Sequence, residues 1–367
     1  MPYLGRPVYA EVDLKSLEEN IKAIKDVAGS KSIIAVVKDD AYGHGAEKVV
    51  KTIEKYCDFF GVACINEALK LKKISSKPFI VFGGVFNGEL KYLNEFVIPT
   101  VYDFELLHTI LTSNKRCRIN IEIDTGMGRT GFQLNEVELL ISKLLSSKKV
   151  ELFGLMTHFA SSDSDAEYTM KQIAKFKKVY DKFIEARIFP KIVHVANSGG
   201  IFYKTESYIN AVRPGIMLYG GYPSKHLKNK IRLSPVMSFK SQIISLKKVK
   251  KGTPISYGCT FITKRETLVA TVACGYGDGY PRSLSNKGIV YIDKKGIAPV
   301  IGRVCMDMTM IDVTDISDVK KGDMVTLWGK GDENILPDKI AELAGTISYE
   351  LFCRITNRTK RIYKHKR

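Results

Sequence analysis

A chain of 367 residues, 45% hydrophobic and 26% charged, has enough apolar material for two or three average domains, or for one large barrel with an appendage, without disulfide or metal staples. Its mean hydropathy of −0.07, with no apolar run near the roughly 18 residues a spanning helix needs, argues against a membrane protein. Lys and Arg exceed Asp and Glu by 18, but they are spread along segments such as LKSLEENIKAIK and KQIAKFKKVYDKFIEAR, with only KRIYKHKR forming a basic end. That pattern reads as solvated surface and not as a nucleic-acid site.

The first residues, MPYLGRPVYAEVDLKSLEEN, lack the apolar core and small-residue cleavage site of a secretory leader, so a cytoplasmic location is expected. Seven cysteines without a CxxC are expected to be reduced thiols. Six histidines form neither HExxH nor a close pair, so no metal site is expected.

From residue 8 onward, short β-branched runs alternate with segments of helical period. The predicted strands are VYAEVD, SIIAVVK, FFGVAC, PFIVFGG, VIPTVY, RINIEID, LFGLMTH, KIVHVAN and AVRPGIM. Between the first two, Leu14, Leu17, Ile21 and Ile24 recur at spacings of three and four, which puts one apolar stripe against a sheet. Repeated strand-then-helix implies a parallel sheet. About eight such units, with no GxGxxG opening the first helix, favour a closed (β/α)8 barrel over an open doubly wound sheet.

After Pro235 the helices thin out. FKSQIISLKKV, GTPISYG, TLVATVACG, GIVYID, APVIGRV, MTMIDV and DMVTLWG follow one another with Gly or Pro between them, the pattern of a mostly antiparallel β domain. The expected organisation is therefore a barrel over residues 1–235 and a β domain over 236–367, packed together because no flexible linker separates them.

Residues 35–45 read AVVKDDAYGHG, an apolar strand ending at Lys38 followed by a Gly-flanked turn with Tyr42 and His44. Chemistry in a barrel sits at the C-terminal ends of strands. A lysine entering an apolar interior there can lose its proton by desolvation and offer a neutral amine for a Schiff base. Taken alone, a strand-end lysine is more often a solvated rim residue.

The segment AVVKDDAYGHG resembles the pyridoxal-phosphate attachment segment of alanine racemases. In the same order, INIEIDTGMGRTGF, GLMTHFASSD, HVANSGG, AVRPGIMLYGG, PISYGCTF, CGYGDGYPR, GRVCMDM and CRITNRTKRIY resemble further segments of that family, across both predicted domains. The resemblance implies a pyridoxal 5'-phosphate enzyme that interconverts L- and D-alanine for peptidoglycan, working as a homodimer with shared active sites. It implies Lys38 as the cofactor-linking lysine and one acid/base, and Tyr257, from the partner subunit, as the other. Two groups are needed because one face of the α-carbon loses a proton while the opposite face gains one.

By the same resemblance Arg213 faces the pyridine nitrogen, with His158 supporting it. Tyr42, Ser198, Gly215 and Ile216 hold the cofactor phosphate. Arg129 and the Met306 backbone bind the substrate carboxylate, and Tyr276, Tyr280 and Asp163 narrow the access corridor.

Three positions depart from the family pattern. Glu122 stands where many members carry a carbamylated lysine, and is expected to orient Arg129 with its own carboxylate. Asn357 stands where some members of the family have a tyrosine, a position that varies among them, and its smaller amide leaves room for a hydroxymethyl group and raises serine, alone or beside alanine, as an alternative substrate. Asp39 replaces a small residue after the lysine and is expected in a packing or solvent-side role, the alternative being that it points at the cofactor ring and perturbs Lys38. A cofactor carrier or a decarboxylase on the same barrel is the other enzymic alternative, disfavoured by the β domain with Tyr257 and Met306, since a carrier needs no second acid/base. A polyanion-binding protein would be colourless, whereas a lysine-linked cofactor would be yellow.

Overall fold

The computed structural model describes residues 5–86, 88–113, 115–147 and 149–364. The end of the basic tail, 365–367, lies outside the described residues.

Eight parallel strands close a barrel in chain order: β2 (Ser32–Val36), β3 (Phe59–Val62), β4 (Phe79–Val81), β5 (Val97–Val101), β6 (Cys117–Glu122), β7 (Val150–Met156), β8 (Ile192–His194) and β9 (Ala211–Val212). Closure comes from β9 returning to β2, with Ser32 opposite Ala211 and Ile33 opposite Val212. The strands are almost wholly buried, as expected of a sheet covered on both faces. Helices follow β2, β3, β5, β6 and β7, whereas only short 3-10 turns follow β4, β8 and β9.

The helix Leu14–Ala28 precedes β2 and buries the predicted stripe of Leu14, Leu17, Ile21 and Ile24. Asp13 caps its N-terminus through the backbone N–H groups of Lys15 and Ser16. Asn20, on the same buried face, donates to the carbonyls of Leu218 and Ser234 and accepts from the Ser234 N–H. That helix thereby covers the barrel where the turn after β9 supplies no long helix.

The first predicted strand is not part of the barrel. β1 (Tyr9–Asp13) lies antiparallel to β10 (Met237–Val249) in the second sheet. A strand followed by an amphipathic helix has the same local pattern in either sheet, and eight strands already close the barrel without it. β11 (Pro254–Ile255) and β12 (Phe261–Ile262) follow β10 in the chain, and the second sheet continues through β13 (Thr267–Val272), β14 (Ile289–Ile292), β15 (Gly296–Pro299), β16 (Thr309–Asp312), β17 (Met324–Trp328) and β18 (Lys360–Lys364). Its main path is β15-β14-β17-β10-β1-β18, with β11 and β12 forming a separate hairpin. All these pairings are antiparallel except β1 with β18. Two short helices, Pro337–Ala344 and Ser348–Cys353, were not expected from the strand-rich pattern. Trp328 packs on Phe239 and Phe352, joining the second helix to the sheet.

Candidate active site

The C-terminal ends of the barrel strands open into a cavity of about 700 Å3. Lys38, Tyr42, Glu122, Arg129, His158, Ser198, Arg213, Gly215 and Ile216, drawn from segments up to 178 positions apart, all line it.

Lys38 begins a backbone turn that the strand pattern does not announce. Asp39, Asp40, Ala41 and Tyr42 all have left-handed φ, between 51° and 56°, before Gly43 at 74°. Four such residues in succession cost on the order of 1–2 kcal/mol each, so the turn persists only because its surroundings hold it. Asp40 Oδ1 accepts the Ala46 N–H at 2.8 Å, and Glu67 Oε1 accepts the Asp39 N–H at 2.7 Å. Gly43 is required twice over, since any Cβ there would meet the Phe352 carbonyl at 2.4 Å. Burial lowers the Lys38 amine from its usual value, and the Arg129 cation adds to that, while Glu67 opposes it. Asp39 is exposed as expected, but it borders the cavity from a turn and not from a strand face.

Arg213 is 3% exposed and sits at the cavity floor. Its Nη1 lies 2.7 Å from His194 Nδ1 and donates to the His194 carbonyl at 2.6 Å. Its Nη2 donates to the Thr157 and Val195 carbonyls and lies 3.2 Å from His158 Nδ1. Burial brings the guanidinium down to about 10, so it stays charged near neutrality. Both histidines are pushed well below the usual imidazole range, by burial first and the Arg213 charge next. Neutral rings can then accept from the arginine. His158 thus contacts Arg213 as expected, but His194, which sequence reasoning passed over inside HVANSGG, makes the shorter contact. His194 Nε2 reaches Asn120 Oδ1 at 2.9 Å, and Asn120 Nδ2 donates to Thr100 at 3.0 Å.

The lining formed by Tyr42, Ser198 and Gly215 suits an anion. The Gly215 N–H donates to Ser198 Oγ at 2.9 Å, and a Cβ on Gly215 would lie 2.7 Å from the Tyr42 hydroxyl. The 3-10 turn Ile216–Tyr219 starts there, presenting leading N–H groups without helical acceptors. A hydroxyl pair, close backbone approach and a helical N-terminus fit a phosphate. With Lys38 nearby and Arg213 on the floor, the donor set fits pyridoxal phosphate.

Arg129 follows a loop in which Asp124 accepts the N–H groups of Gly126, Met127 and Gly128. The arginine is exposed at the cavity wall. Glu122 is buried, and its Oε2 accepts from Thr130 Oγ1 at 2.8 Å. Among the described residues no salt bridge joins Glu122 to Arg129, so the carboxylate meets the neighbouring Thr130 by a hydrogen bond and Arg129 only through its charge. Burial raises the Glu122 carboxyl, while the Thr130 hydrogen bond and the Arg129 and Arg213 charges oppose that.

Asn357 requires correction. It is exposed in the turn before β18 and lines no part of the cavity of its own chain. Tyr349, from the short helix Ser348–Cys353, lines the cavity instead, its ring 6.0 Å from that of Tyr42. Nothing in the cavity of this chain places Asn357 beside a substrate, so the room inferred there for serine has no support. Tyr280 is also corrected: it is fully buried in the second domain and borders no corridor. Asp163 is exposed, close enough to Tyr349 to raise its phenol, after burial.

Tyr257 and Met306 do not join the cavity of their own chain. Tyr257 is 71% exposed, in a turn between β11 and β12 where Ser256 and Cys259 have positive φ. Met306 is 52% exposed, and Tyr276, Met308 and Ile262 are exposed as well. The Gly277 N–H donates to the Met306 carbonyl at 2.9 Å, linking the two Gly-rich segments.

A closed parallel barrel with a strand-end lysine, a buried arginine floor and a phosphate cradle, joined to a β domain, defines a cofactor-dependent barrel enzyme acting on small substrates. Residues 12–223 match the family model "Alanine racemase, N-terminal domain" and residues 236–363 match "Alanine racemase, C-terminal domain". The chain belongs to the alanine racemase family, whose members are pyridoxal-phosphate-dependent isomerases. It is 43% identical to the alanine racemase of Halothermothrix orenii, over 99% of this chain and 98% of that protein. The alanine racemase structure from Streptomyces lavendulae superposes with a TM-score of 0.91 at 28% identity, covering 99% of this chain and 98% of that one. The Bartonella henselae alanine racemase, solved with covalently bound pyridoxal phosphate, superposes with a TM-score of 0.88 at 32% identity, covering 98% and 100%.

Among the described residues no helix is long and apolar enough to cross a membrane, and no group of three or more His, Cys, Asp or Glu is placed to hold a metal. All seven cysteines are free.

Proposed function

We propose that this racemase interconverts L- and D-alanine with Lys38 of one protomer and Tyr257 of its partner on opposite faces of the substrate. Pyridoxal phosphate, when bound, supplies the electron-delocalising ring that makes the α-proton removable. Lys38 takes or returns that proton at Nζ, and its burial beside Arg129 favours the neutral amine this needs. Tyr257 does the same at its hydroxyl from the other side. Arg213, held by five acceptor atoms of four residues, keeps its own proton and would deny one to a cofactor ring nitrogen placed against it.

Tyr42, Ser198 and the N–H groups at Gly215 and Ile216 hold the phosphate. Arg129, with the Met306 N–H of the partner chain, orients the substrate carboxylate. Tyr349 restricts the space beside Tyr42 and so favours a methyl side chain over larger ones. D-Alanine for peptidoglycan is the use that follows, in a cytoplasm that keeps the thiols reduced.

The observation that carries this reading is the division of parts: the cavity holds Lys38, while the proposed second acid/base lies 71% exposed outside it. Mixing Lys38→Ala and Tyr257→Phe chains tests it. Each variant alone has no complete site, whereas a mixed dimer with shared sites has one. Recovered racemisation supports the reading, and continued inactivity in a verified heterodimer overturns the shared site.

A further inference from the structure

We propose that His44 and Arg361 are positioning residues for the racemase centre, holding from two sides the left-handed turn that presents Lys38 and Tyr42 to the cavity. This rests on the reading that those two residues work there.

His44 is fully buried directly after the turn. Its Nδ1 lies 3.0 Å from the Ala41 carbonyl and 2.9 Å from the Tyr42 carbonyl, so it carries the proton and donates to both. The ring stacks on Tyr219 at 4.5 Å and meets the edge of Phe352 at 4.9 Å. Tyr219 in turn donates to the Val36 carbonyl, two residues before Lys38. His44 Nε2 is buried without a hydrogen-bond partner among the described residues. A side chain needed only for packing would carry no such orphaned nitrogen. The imidazole is there for its other nitrogen, which reaches the Tyr42 carbonyl and adds a second donor to the Ala41 carbonyl, already bonded to the His44 N–H at 3.1 Å.

Arg361 approaches from β18 of the second sheet. Its Nε donates to the Gly43 carbonyl at 3.0 Å. Its Nη1 donates to the Thr356 and Thr359 carbonyls, and its Nη2 to the Ile355 carbonyl, at 2.8–2.9 Å. One planar guanidinium thereby ties the lysine-bearing turn to the loop 355–359 of the other domain, a geometry the single ammonium of lysine cannot reproduce. Between them, His44 and Arg361 engage the carbonyls of Ala41, Tyr42 and Gly43 in succession. The C-terminal β domain therefore shapes the site of its own chain as well as offering Tyr257 outward.

The test uses holoenzyme variants His44→Phe, His44→Gln, His44→Asn, Arg361→Lys and Lys38→Ala. The readouts are kcat and KM for L-alanine and the rate at which bound cofactor is lost on gel filtration. Loss of the clamp is expected to lower kcat and to speed cofactor loss by roughly 10-fold or more, the scale of outer-shell positioning effects. KM is expected to change little, because Arg129 lies on another loop. Asn places an amide nitrogen where Nδ1 stood and is expected to recover most of kcat, whereas Gln and Phe are not. If His44→Phe fails to fold, His44→Gln decides the matter. Wild-type kcat and cofactor retention in folded His44→Gln and Arg361→Lys overturn the proposal. Activity retained in Lys38→Ala overturns the underlying reading instead, so the two failures are distinguishable.

Discussion

Arg213 and His194 meet at 2.7 Å inside the barrel, and the contact continues through Asn120 to Thr100 on β5. The histidine is neutral and fully buried, so its tautomer is set by its neighbours: Asn120 Oδ1 accepts from Nε2–H, leaving Nδ1 to accept from the arginine.

Removing Asn120 is the direct probe of that chain. Asn120→Ala leaves the Nε2–H of His194 unpaired in the core, and is expected to cost about 1–3 kcal/mol of stability. It is also expected to reduce kcat, since the His194 tautomer facing Arg213 is no longer enforced. Urea denaturation beside steady-state rates checks both, and a variant as stable as the parent would show that the chain is not held by this bond.

Substrate size discrimination is expected to follow Tyr349. Tyr349→Ala opens space next to Tyr42 and should raise the serine-to-alanine ratio of kcat/KM. Asn357→Tyr should leave that ratio unchanged, because position 357 is on an exposed turn. Paired kinetics on L-alanine and L-serine decide between them, and a ratio that responds to position 357 would reinstate the serine reading.

Glu122 makes a prediction in pH. Its folded-state carboxyl is raised by burial, so the folded protein holds this proton more tightly than the unfolded chain does. Its contribution to stability is fully present below the ordinary glutamate range and is lost as pH rises through the raised value. Glu122→Gln should therefore gain in Tm relative to the parent on going from pH 4 to pH 8. It should also raise KM for alanine, through Thr130 and the adjacent Arg129. Thermal melts at the two pH values, with KM at the higher one, are the measurement. A Tm difference that does not change with pH would mean that Glu122 is ionised alike in both states.

Asp278 is a second buried carboxylate, with Arg6 at 2.8 Å, Arg358 at 3.4 Å and the Gly275 N–H at 3.0 Å. Asp278→Ala strands the buried Gly275 N–H, while Arg6 and Arg358 keep Asp307, and a loss of about 1–3 kcal/mol is expected. The turn it holds carries Tyr276 against the Met306 segment, so kcat/KM should fall too. Chemical denaturation with steady-state kinetics tests this, and unchanged values for both would show the cluster to be incidental.

The sequence alone determined the barrel and the content of its cavity. Alternating strand and helix periods are local properties, and so is the position of a residue at a strand end. AVVKDDAYGHG, DTGMGR, HVANSGG and AVRPGI each carry their site residues within a few positions, so their resemblance to alanine racemase segments named Lys38, Tyr42, Arg129, Ser198, Arg213 and Gly215, which strand-end position alone does not. What only the tertiary structure decided depends on neighbours far apart in the chain. β1 resembles a barrel strand until β10 and β18 are seen beside it. Tyr349 and Asn357 lie eight positions apart, and only the packing of a six-residue helix against Trp328 turns one of them toward the cavity and leaves the other in solvent. His194 rather than His158 makes the closest ring contact to Arg213 because β8 lies next to β9 in the closed sheet. The left-handed turn at Lys38 is decided in the same way, since an unfavourable backbone leaves no local pattern and persists only where groups such as His44, Glu67 and Arg361 converge on it.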